Sequence, residues 1–189
     1  LHDIQVFSSN YPLYADMSSR VMSILREEVG TINVYSIDEA FFQLEVSNEE
    51  ARLFSEKLRR KIVKWVGIPV SIGVAPTMTL AKVASYFAKK IEGYHGICMI
   101  DNDEKRVKAL KLLPISEIWG VGRRLSEKMR FSGIKTAYDF TQRTEEWAKN
   151  VGSILLVRTQ TELRGKPAVK IDSYSDAQSL CTSRSFASV

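Results

Sequence analysis

Residues 69–75 form a short, nearly all-apolar segment, which limits the possible folds more than any other feature of the chain. A strand of this composition is too apolar for a solvent-exposed sheet edge, so other elements must cover it. The surrounding periodicity predicts a helix ending near Gly30, strands at 31–36 and 40–45, a helix at 49–66, a helix from its N-cap Thr79 to Lys90, and a strand at 96–100. This order predicts a mixed β-sheet with helices packed on it.

The sequence changes character at about Asp101, where short helical segments separated by Gly, Pro and polar turns begin. The predicted helices are Asp103–Leu112, 116–119, Arg123–Phe131, 136–141, 144–151 and 153–163. After Gly165 the chain becomes extended and polar. We therefore predict an α+β protein in three parts: a catalytic domain at 1–102, a small all-α domain at 103–168 and a linker at 169–189.

The excess of positive charge lies in the second part of the chain. The 189 residues include 27 Lys or Arg and 22 Asp or Glu, a net charge of +5. Residues 1–100 carry 11 basic and 11 acidic side chains, whereas residues 101–170 carry 15 and 9. An excess of six suits a polyanion such as nucleic acid, although an ordinary solvated helical surface would also carry it.

Composition excludes several classes of protein. A hydrophobic content of 44% excludes intrinsic disorder. No apolar run reaches the length of a membrane span, and the first 30 residues lack a signal-peptide layout, so we expect a cytoplasmic protein. Cys98 and Cys181 are too few and too far apart for a disulfide framework or a Cys-rich zinc site. Because the chain begins at Leu1 rather than at Met, we expect it to be part of a longer protein.

Two adjacent acids, Asp38 and Glu39, lie between the two predicted strands of a hairpin, among Tyr35, Ile37 and Phe41. Adjacent carboxylates in a regular strand point to opposite faces, but a tight turn or a bulge can direct both to one place. Desolvating them is costly unless a cation is present, and Mg²⁺ binds carboxylate oxygens together with substrate phosphates. The alternative is a solvent-exposed turn, in which Asp and Glu are common.

Lys82 and Lys89 are two helical turns apart, so they share one face of the predicted helix. On that face they are placed to meet a triphosphate as point charges, although solvated helix lysines are the commoner case.

A turn with two glycines, Gly120-Val121-Gly122, separates two short predicted helices and precedes Arg123 and Arg124. This is the pattern of a helix-hairpin-helix. The glycines allow another backbone to approach, and the second helix begins with free amides at which a phosphate can bind. A plain helical turn with glycine caps is the alternative.

These segments resemble the Y-family, or translesion, DNA polymerases. Residues 36–40, Ser-Ile-Asp-Glu-Ala, have the form of that family's central catalytic motif, and residues 71–90 resemble its "SIGIA…LAK.AS…AKP" block. The sequence around residues 8–25 is most similar to the UmuC branch. The resemblance covers essentially the whole chain. It implies an α+β palm followed by an all-α thumb with the helix-hairpin-helix.

The resemblance implies an enzyme that adds nucleotides to a primer 3′-end opposite damaged template, using two Mg²⁺ ions. Asp38 would then bridge the two ions, and Glu39 would help hold the ion that activates the primer hydroxyl. Lys89 matches the lysine that contacts the incoming triphosphate. Lys82 matches the first lysine of that block, which would contact DNA or phosphate. Residues 120–124 would bind duplex DNA backbone.

The same resemblance implies a set of partners. They are primer–template DNA, deoxynucleoside triphosphates, a processed UmuD dimer, RecA and the sliding clamp.

The family's first catalytic Asp, its fingers and its little finger are not in this sequence, so we expect the chain alone to bind metal weakly and to be inactive. Two other functions fit part of the sequence. A nucleotidyl-cyclase-like palm enzyme would leave the Gly-Val-Gly turn unexplained. A non-catalytic helix-hairpin-helix DNA-binding module would leave the acids of the apolar hairpin unexplained.

Overall fold

The computed structural model of the protein describes residues 4–5 and 7–169. Within these ranges the elements, in chain order, are α1 (Tyr11–Val29), β1 (Asn33–Val34), β2 (Ala40–Phe41), α2 (Asn48–Val66), β3 (Ile72–Val74), α3 (Met78–Lys90), β4 (Ile97–Met99), α4 (Asp103–Leu112), α5 (Arg123–Phe131), α6 (Ala137–Thr141), α7 (Glu145–Val151) and α8 (Ile154–Leu163). Residues 170–189 of the predicted linker, with Cys181, lie outside the described residues.

Local capping signals set most helix boundaries. Before α2, the Ser47 hydroxyl accepts a hydrogen bond from the Glu50 amide at 3.3 Å, and the Glu50 carboxylate accepts one from the Ser47 amide at 2.9 Å. Hydrogen bonds from the hydroxyl and the amide of Ser47 lower the pKa of Glu50. The helix ends at Gly67, whose φ of 78° lies in the left-handed region that favours glycine. The predicted bounds of α4 and α5 are confirmed.

Helix α3 begins two residues earlier than the sequence predicts, and Thr79 as its N-cap is wrong. Thr77 is the N-cap, with extended backbone and a hydroxyl that accepts from the Leu80 amide at 3.3 Å. The Thr79 hydroxyl donates instead to the Glu162 carboxylate, at 2.6 Å. Tertiary contact therefore decides between two threonines that are equally good caps by local preference.

The described strands form two separate pairs instead of one mixed sheet. β1 and β2 pair antiparallel, with Asn33 opposite Phe41, and β3 and β4 pair parallel, with Ile72 opposite Ile97. The hairpin pair is short because the Tyr35 and Ser36 amides both donate to the Glu39 carbonyl, at 2.9 and 3.1 Å, which turns the chain out of the ladder. The α+β class is as predicted.

Two clusters of buried side chains hold these elements together. The smaller cluster packs α1 on α2 through Met22, Leu25, Leu58 and Ile62. The larger cluster joins α3 and β4 to the helices that follow Asp101, with Phe140 among its fully buried members. The division of the chain at residue 102 stays a prediction.

Gly73 allows the backbone of β3 to lie directly against α3. A Cβ atom at this position would overlap the Ala81 carbonyl oxygen and the Ser85 amide nitrogen, which both belong to the helix backbone. Glycine is therefore a steric requirement of the packing between β3 and α3.

Candidate active site

The turn between β1 and β2 holds Asp38 and Glu39 in a defined arrangement. The Ser36 hydroxyl donates to the Asp38 carboxylate at 2.6 Å. The Ser18 hydroxyl donates to the Ile37 carbonyl, which ties the turn to α1. The backbone bonds to the Glu39 carbonyl close the turn from the other side. The hairpin therefore presents both acids from a turn that is fixed by hydrogen bonds at several points.

Both acids line one cavity of about 910 Å³. Lys82 of α3, Asp101 after β4 and Glu162 of α8 line it as well. The predicted hairpin acids and one of the two predicted lysines are thus brought together, although Lys82 lies 43 residues from Glu39.

Lys82 forms an ion pair with Glu39 and lies against two aromatic rings. Its Nζ atom is 5.6 Å from the ring centroid of Tyr35 and 6.0 Å from that of Trp119. An ammonium over an aromatic face is attracted by the ring quadrupole, so both rings help to hold Lys82 beside the carboxylate.

Trp119 connects the hairpin to the helical part of the chain. Its indole Nε1 donates to the Tyr35 hydroxyl at 3.0 Å, and the two rings meet nearly edge to face with centroids 5.2 Å apart. The Phe41 ring lies 5.6 Å away, at 34° to the indole. Sequence reasoning missed Trp119 as a site residue, since no local pattern links positions 84 residues apart.

Glu162 is a buried carboxylate that sequence reasoning also missed. Its Oε2 accepts from the Thr79 amide at 2.8 Å and from the Thr79 hydroxyl at 2.6 Å, and its Oε1 accepts from the Val169 amide at 2.9 Å. A carboxylate at a helix N-terminus is stabilised by the helix dipole. Glu162 is the single acid of α8, but it follows the polar residues Thr159, Gln160 and Thr161, so no local pattern in the sequence singles it out.

Lys89 lies in the last turn of α3, is exposed and does not line the cavity. It makes no hydrogen bond or ion pair within residues 4–5 and 7–169. The predicted contact between Lys89 and a triphosphate therefore stays a prediction.

The turn predicted to bind DNA, residues 120–124, combines one buried side chain with exposed glycine and arginine residues. Gly120 has a φ of 83°, Val121 is buried, and Gly122 is the N-cap of α5 without a side-chain cap. Arg123 and Arg124 are exposed, and Arg123 pairs with Glu127 at 3.2 Å.

The helix predicted before the two glycines is not an α-helix in the structure. The segment predicted as a helix at 116–119 forms only a single 3₁₀ turn, Ile115–Glu117. A pair of regular α-helices around the two glycines is thus not formed. Burial of Ile115 and Ile118 fixes this tight turn instead.

The carboxylates of Asp38 and Glu39 are the oxygen ligands that Mg²⁺ prefers. The part of the chain that the structure describes contains no group of three or more His, Cys, Asp or Glu side chains arranged to hold a metal ion. The hairpin acids therefore fit part of a magnesium site, and Glu39 is neutralised by Lys82 in this structure.

No helix among the described residues is long and apolar enough to span a membrane.

Comparison with known proteins points to one family. Residues 1–86 match the model of the impB/mucB/samB family. The protein UmuC of Salmonella typhimurium is 41% identical over 184 residues, which cover 95% of this chain and 44% of that protein. The chain belongs to the impB/mucB/samB family.

Solved structures of DNA polymerases share the fold of this chain. An error-prone DNA polymerase of the DinB family from Sulfolobus solfataricus matches with a TM-score of 0.73 and 25% identity, over 88% of this chain and 50% of that one. A Y-family DNA polymerase chimera matches with a TM-score of 0.73 and 26% identity, over 88% and 48%. The chain spans less than half the length of the curated relatives it matches.

Proposed function

We propose that this chain forms the catalytic palm and the thumb of a translesion DNA polymerase. The polymerase adds deoxynucleotides to a primer 3′-end opposite damaged template, within SOS-type DNA repair. The observation that carries the proposal is the pair Asp38 and Glu39, held by a hydrogen-bonded turn in a cavity of a chain with the Y-family fold.

Asp38 and Glu39 are the residues that would hold Mg²⁺, with two ions in the complete site. Bound Mg²⁺ neutralises charge on the triphosphate and favours the ionised primer hydroxyl. The Ser36 hydroxyl orients the Asp38 carboxylate, and Lys82 becomes available to a phosphate when it leaves Glu39. The primer 3′-oxygen attacks the α-phosphorus, the bond to the β-phosphate oxygen breaks and pyrophosphate leaves.

The ligand set supplied by Asp38 and Glu39 is incomplete for a two-metal site. Two carboxylates would supply only some of the oxygen ligands that two Mg²⁺ ions need, and water, substrate and further protein oxygens would supply the others. We therefore propose that the 189 residues alone have no polymerase activity, and that another part of the full-length protein supplies a further carboxylate.

The thumb, in this proposal, binds the primer–template duplex. The uncapped amides at the start of α5, with Arg123 and Arg124, would contact phosphates without reading bases. The resemblance to the UmuC branch supports a processed UmuD dimer, RecA and the sliding clamp as partners of the whole protein.

The test is primer extension by the full-length protein in Mg²⁺. Asp38→Ala should abolish extension, because the substitution removes a carboxylate that holds the metal. Glu45→Ala is the matched control, since Glu45 is exposed, follows β2 and does not line the cavity. Extension at the normal rate by the Asp38→Ala variant would contradict the proposal.

A further inference from the structure

A second cavity of about 570 Å³ lies between α2 and α4, away from the hairpin acids. Its floor is formed by β4, the end of α3 and the turn that follows α3. Of its lining residues, only Ile100 also lines the cavity of Asp38 and Glu39. We call this second cavity the α2–α4 groove.

Five of the residues that line the α2–α4 groove are basic, and only Glu56 is acidic. The basic side chains belong to Arg52, Arg59, Arg60, Lys105 and Lys108. This local excess of four approaches the net charge of the whole chain, +5. Counts along the sequence show it only in part, because Arg52, Arg59 and Arg60 lie within residues 1–100, which are neutral in total.

The basic side chains of the groove are of two kinds. Arg59 donates to the Val70 carbonyl at 3.0 Å, Lys105 pairs with Asp101 at 2.8 Å and Arg52 pairs with Glu56 at 3.6 Å, so these three are engaged within the fold. Arg60 and Lys108 are exposed and make no ion pair within the described part of the chain. Two unpaired cations, one from each wall, produce a positive potential in the groove.

The floor of the groove is apolar. Phe87 and Cys98 are buried there, Ile91 and Tyr94 are 41% and 43% exposed, and Leu112, the last residue of α4, adds a 60% exposed apolar side chain to the lining. Burial raises the pKa of the Cys98 thiol, so the thiol is neutral at pH 7 and adds no charge to the floor. Aliphatic and aromatic surface of this kind is stabilised when a ligand covers it.

Cationic walls and an apolar floor together select the kind of ligand. A phosphodiester backbone would pair with the walls but would leave the floor uncovered. A protein segment with acidic residues on one face and apolar residues on the other would pair with the cationic walls and also cover the apolar floor. Hydrophobic grooves in other proteins bind amphipathic segments in this way.

We propose that the α2–α4 groove binds an acidic, amphipathic segment of a partner protein. Carboxylates of that segment pair with Arg60 and Lys108, and its apolar side chains pack on Ile91 and Leu112. This binding does not depend on the polymerase activity proposed above, since the groove is separate from Asp38 and Glu39.

The test uses the 189-residue chain and a fluorescein-labelled synthetic peptide of Glu and Leu in an amphipathic helical pattern, titrated by fluorescence anisotropy. We expect saturable binding, weakened roughly tenfold by the double variant Arg60→Glu and Lys108→Glu. The control is Lys57→Glu with Lys64→Glu, which makes the same charge change on α2 at exposed lysines outside the groove. This control should bind with nearly unchanged affinity.

A second variant, Leu112→Ser, tests the apolar part of the proposal without changing the charge. Leu112 is exposed, so the fold does not depend on it, and a several-fold loss of peptide affinity is expected. Either of two results would overturn the proposal: no saturable binding of the peptide by the unmodified chain, or equal loss of peptide affinity in the two double variants. A third result would also overturn it: single-stranded DNA displaces the peptide, and the Arg60 and Lys108 double variant binds that DNA more weakly than the unmodified chain does. The last result would make the groove a nucleic-acid surface.

Discussion

Two lysines on the same face of α3 have different surroundings. Lys82 pairs with Glu39 and lies over the rings of Tyr35 and Trp119, whereas Lys89 is exposed at the end of the helix. Helical spacing predicts that they share a face. It does not predict that one is held by an acid 43 residues earlier, because that contact depends on where the hairpin lies on α3.

Lys89→Ala in the full-length protein should raise the KM for the incoming nucleotide by about tenfold or more, because a charged contact to phosphate is lost. The measurement is steady-state primer extension at varied nucleotide concentration, together with DNA binding. Lys90→Ala, an exposed neighbour in the same turn, should leave the KM unchanged. A weaker affinity for DNA with an unchanged KM would assign Lys89 to DNA binding instead.

The position of α3 depends on Glu162 of α8. The Glu162 carboxylate binds the amide and hydroxyl of Thr79 at the start of α3, and the Glu162 carbonyl accepts from the Thr77 hydroxyl at 3.0 Å. These contacts join residues more than 80 positions apart. They place α3, the helix that carries Lys82, against α8.

Glu162→Gln should lower the free energy of unfolding by about 2–4 kcal/mol, since the amide presents a donor to groups that are themselves donors. Urea denaturation followed by circular dichroism measures the change. Glu146→Gln in α7, where the side chain is exposed, should change stability by less than about 0.5 kcal/mol. Equal stability of the two variants would show that the buried carboxylate is not needed for folding.

Elements whose signals are local could be predicted from the sequence, and elements that depend on distant contacts could not. The bounds of α4 and α5 follow from periodicity and flanking residues. The N-cap of α3 was misassigned because Glu162 engages the hydroxyl of Thr79. The single mixed sheet was wrong because the turn at Tyr35 and Ser36 shortens the hairpin. Motifs in the sequence single out Asp38, Glu39 and Lys82, which the structure brings to one cavity, and their roles stay predictions. The aromatic contact with Trp119 is purely tertiary.

The hairpin of β1 and β2 meets the helical part of the chain at Trp119. The indole contacts Tyr35 and Phe41 on the hairpin, and in sequence it immediately precedes the Gly120–Gly122 turn proposed to bind DNA. The turn proposed to bind metal and the turn proposed to bind DNA are thereby connected through one side chain.

Trp119→Ala should increase the exchange rate of the Tyr35 and Ser36 amides by about tenfold, because the aromatic contacts and the hydrogen bond that hold the hairpin are lost. Hydrogen–deuterium exchange of the hairpin peptide measures this rate. Trp119→Phe, which keeps a ring, should give an intermediate rate. Trp65→Ala is the control, since Trp65 is 65% exposed on α2, and the prediction is wrong if both alanine variants exchange alike.

Positive charge is spread over two faces of the molecule rather than one. The α2–α4 groove carries one group of cations, and Arg123 and Arg124 at the start of α5 belong to the other. A count along the chain assigns the excess to residues 101–170 alone, because acids elsewhere in the first 100 residues cancel the cations of α2.

DNA affinity of the chain should fall steeply with salt, and Arg123→Ala with Arg124→Ala should reduce the slope of log K against log salt concentration by roughly 2. Fluorescence anisotropy with a labelled duplex at several salt concentrations measures the slope. Lys57→Ala with Lys64→Ala removes equal charge from α2 and should leave the slope nearly unchanged. A slope that is identical in all three proteins would exclude the α5 arginines as phosphate contacts.

Gly73 limits which sequences this fold can accept. Any side chain at this position would push α3 away from β3, and with it Lys82 and the Glu162 contact. In a library of random single substitutions, position 73 should therefore tolerate as little variation as position 38, even though glycine has no side chain that could take part in the reaction. Exposed positions of α3 can accept many substitutions. Position 73 of β3 cannot, because a side chain there would overlap backbone atoms of α3, which no substitution of a neighbouring residue can remove.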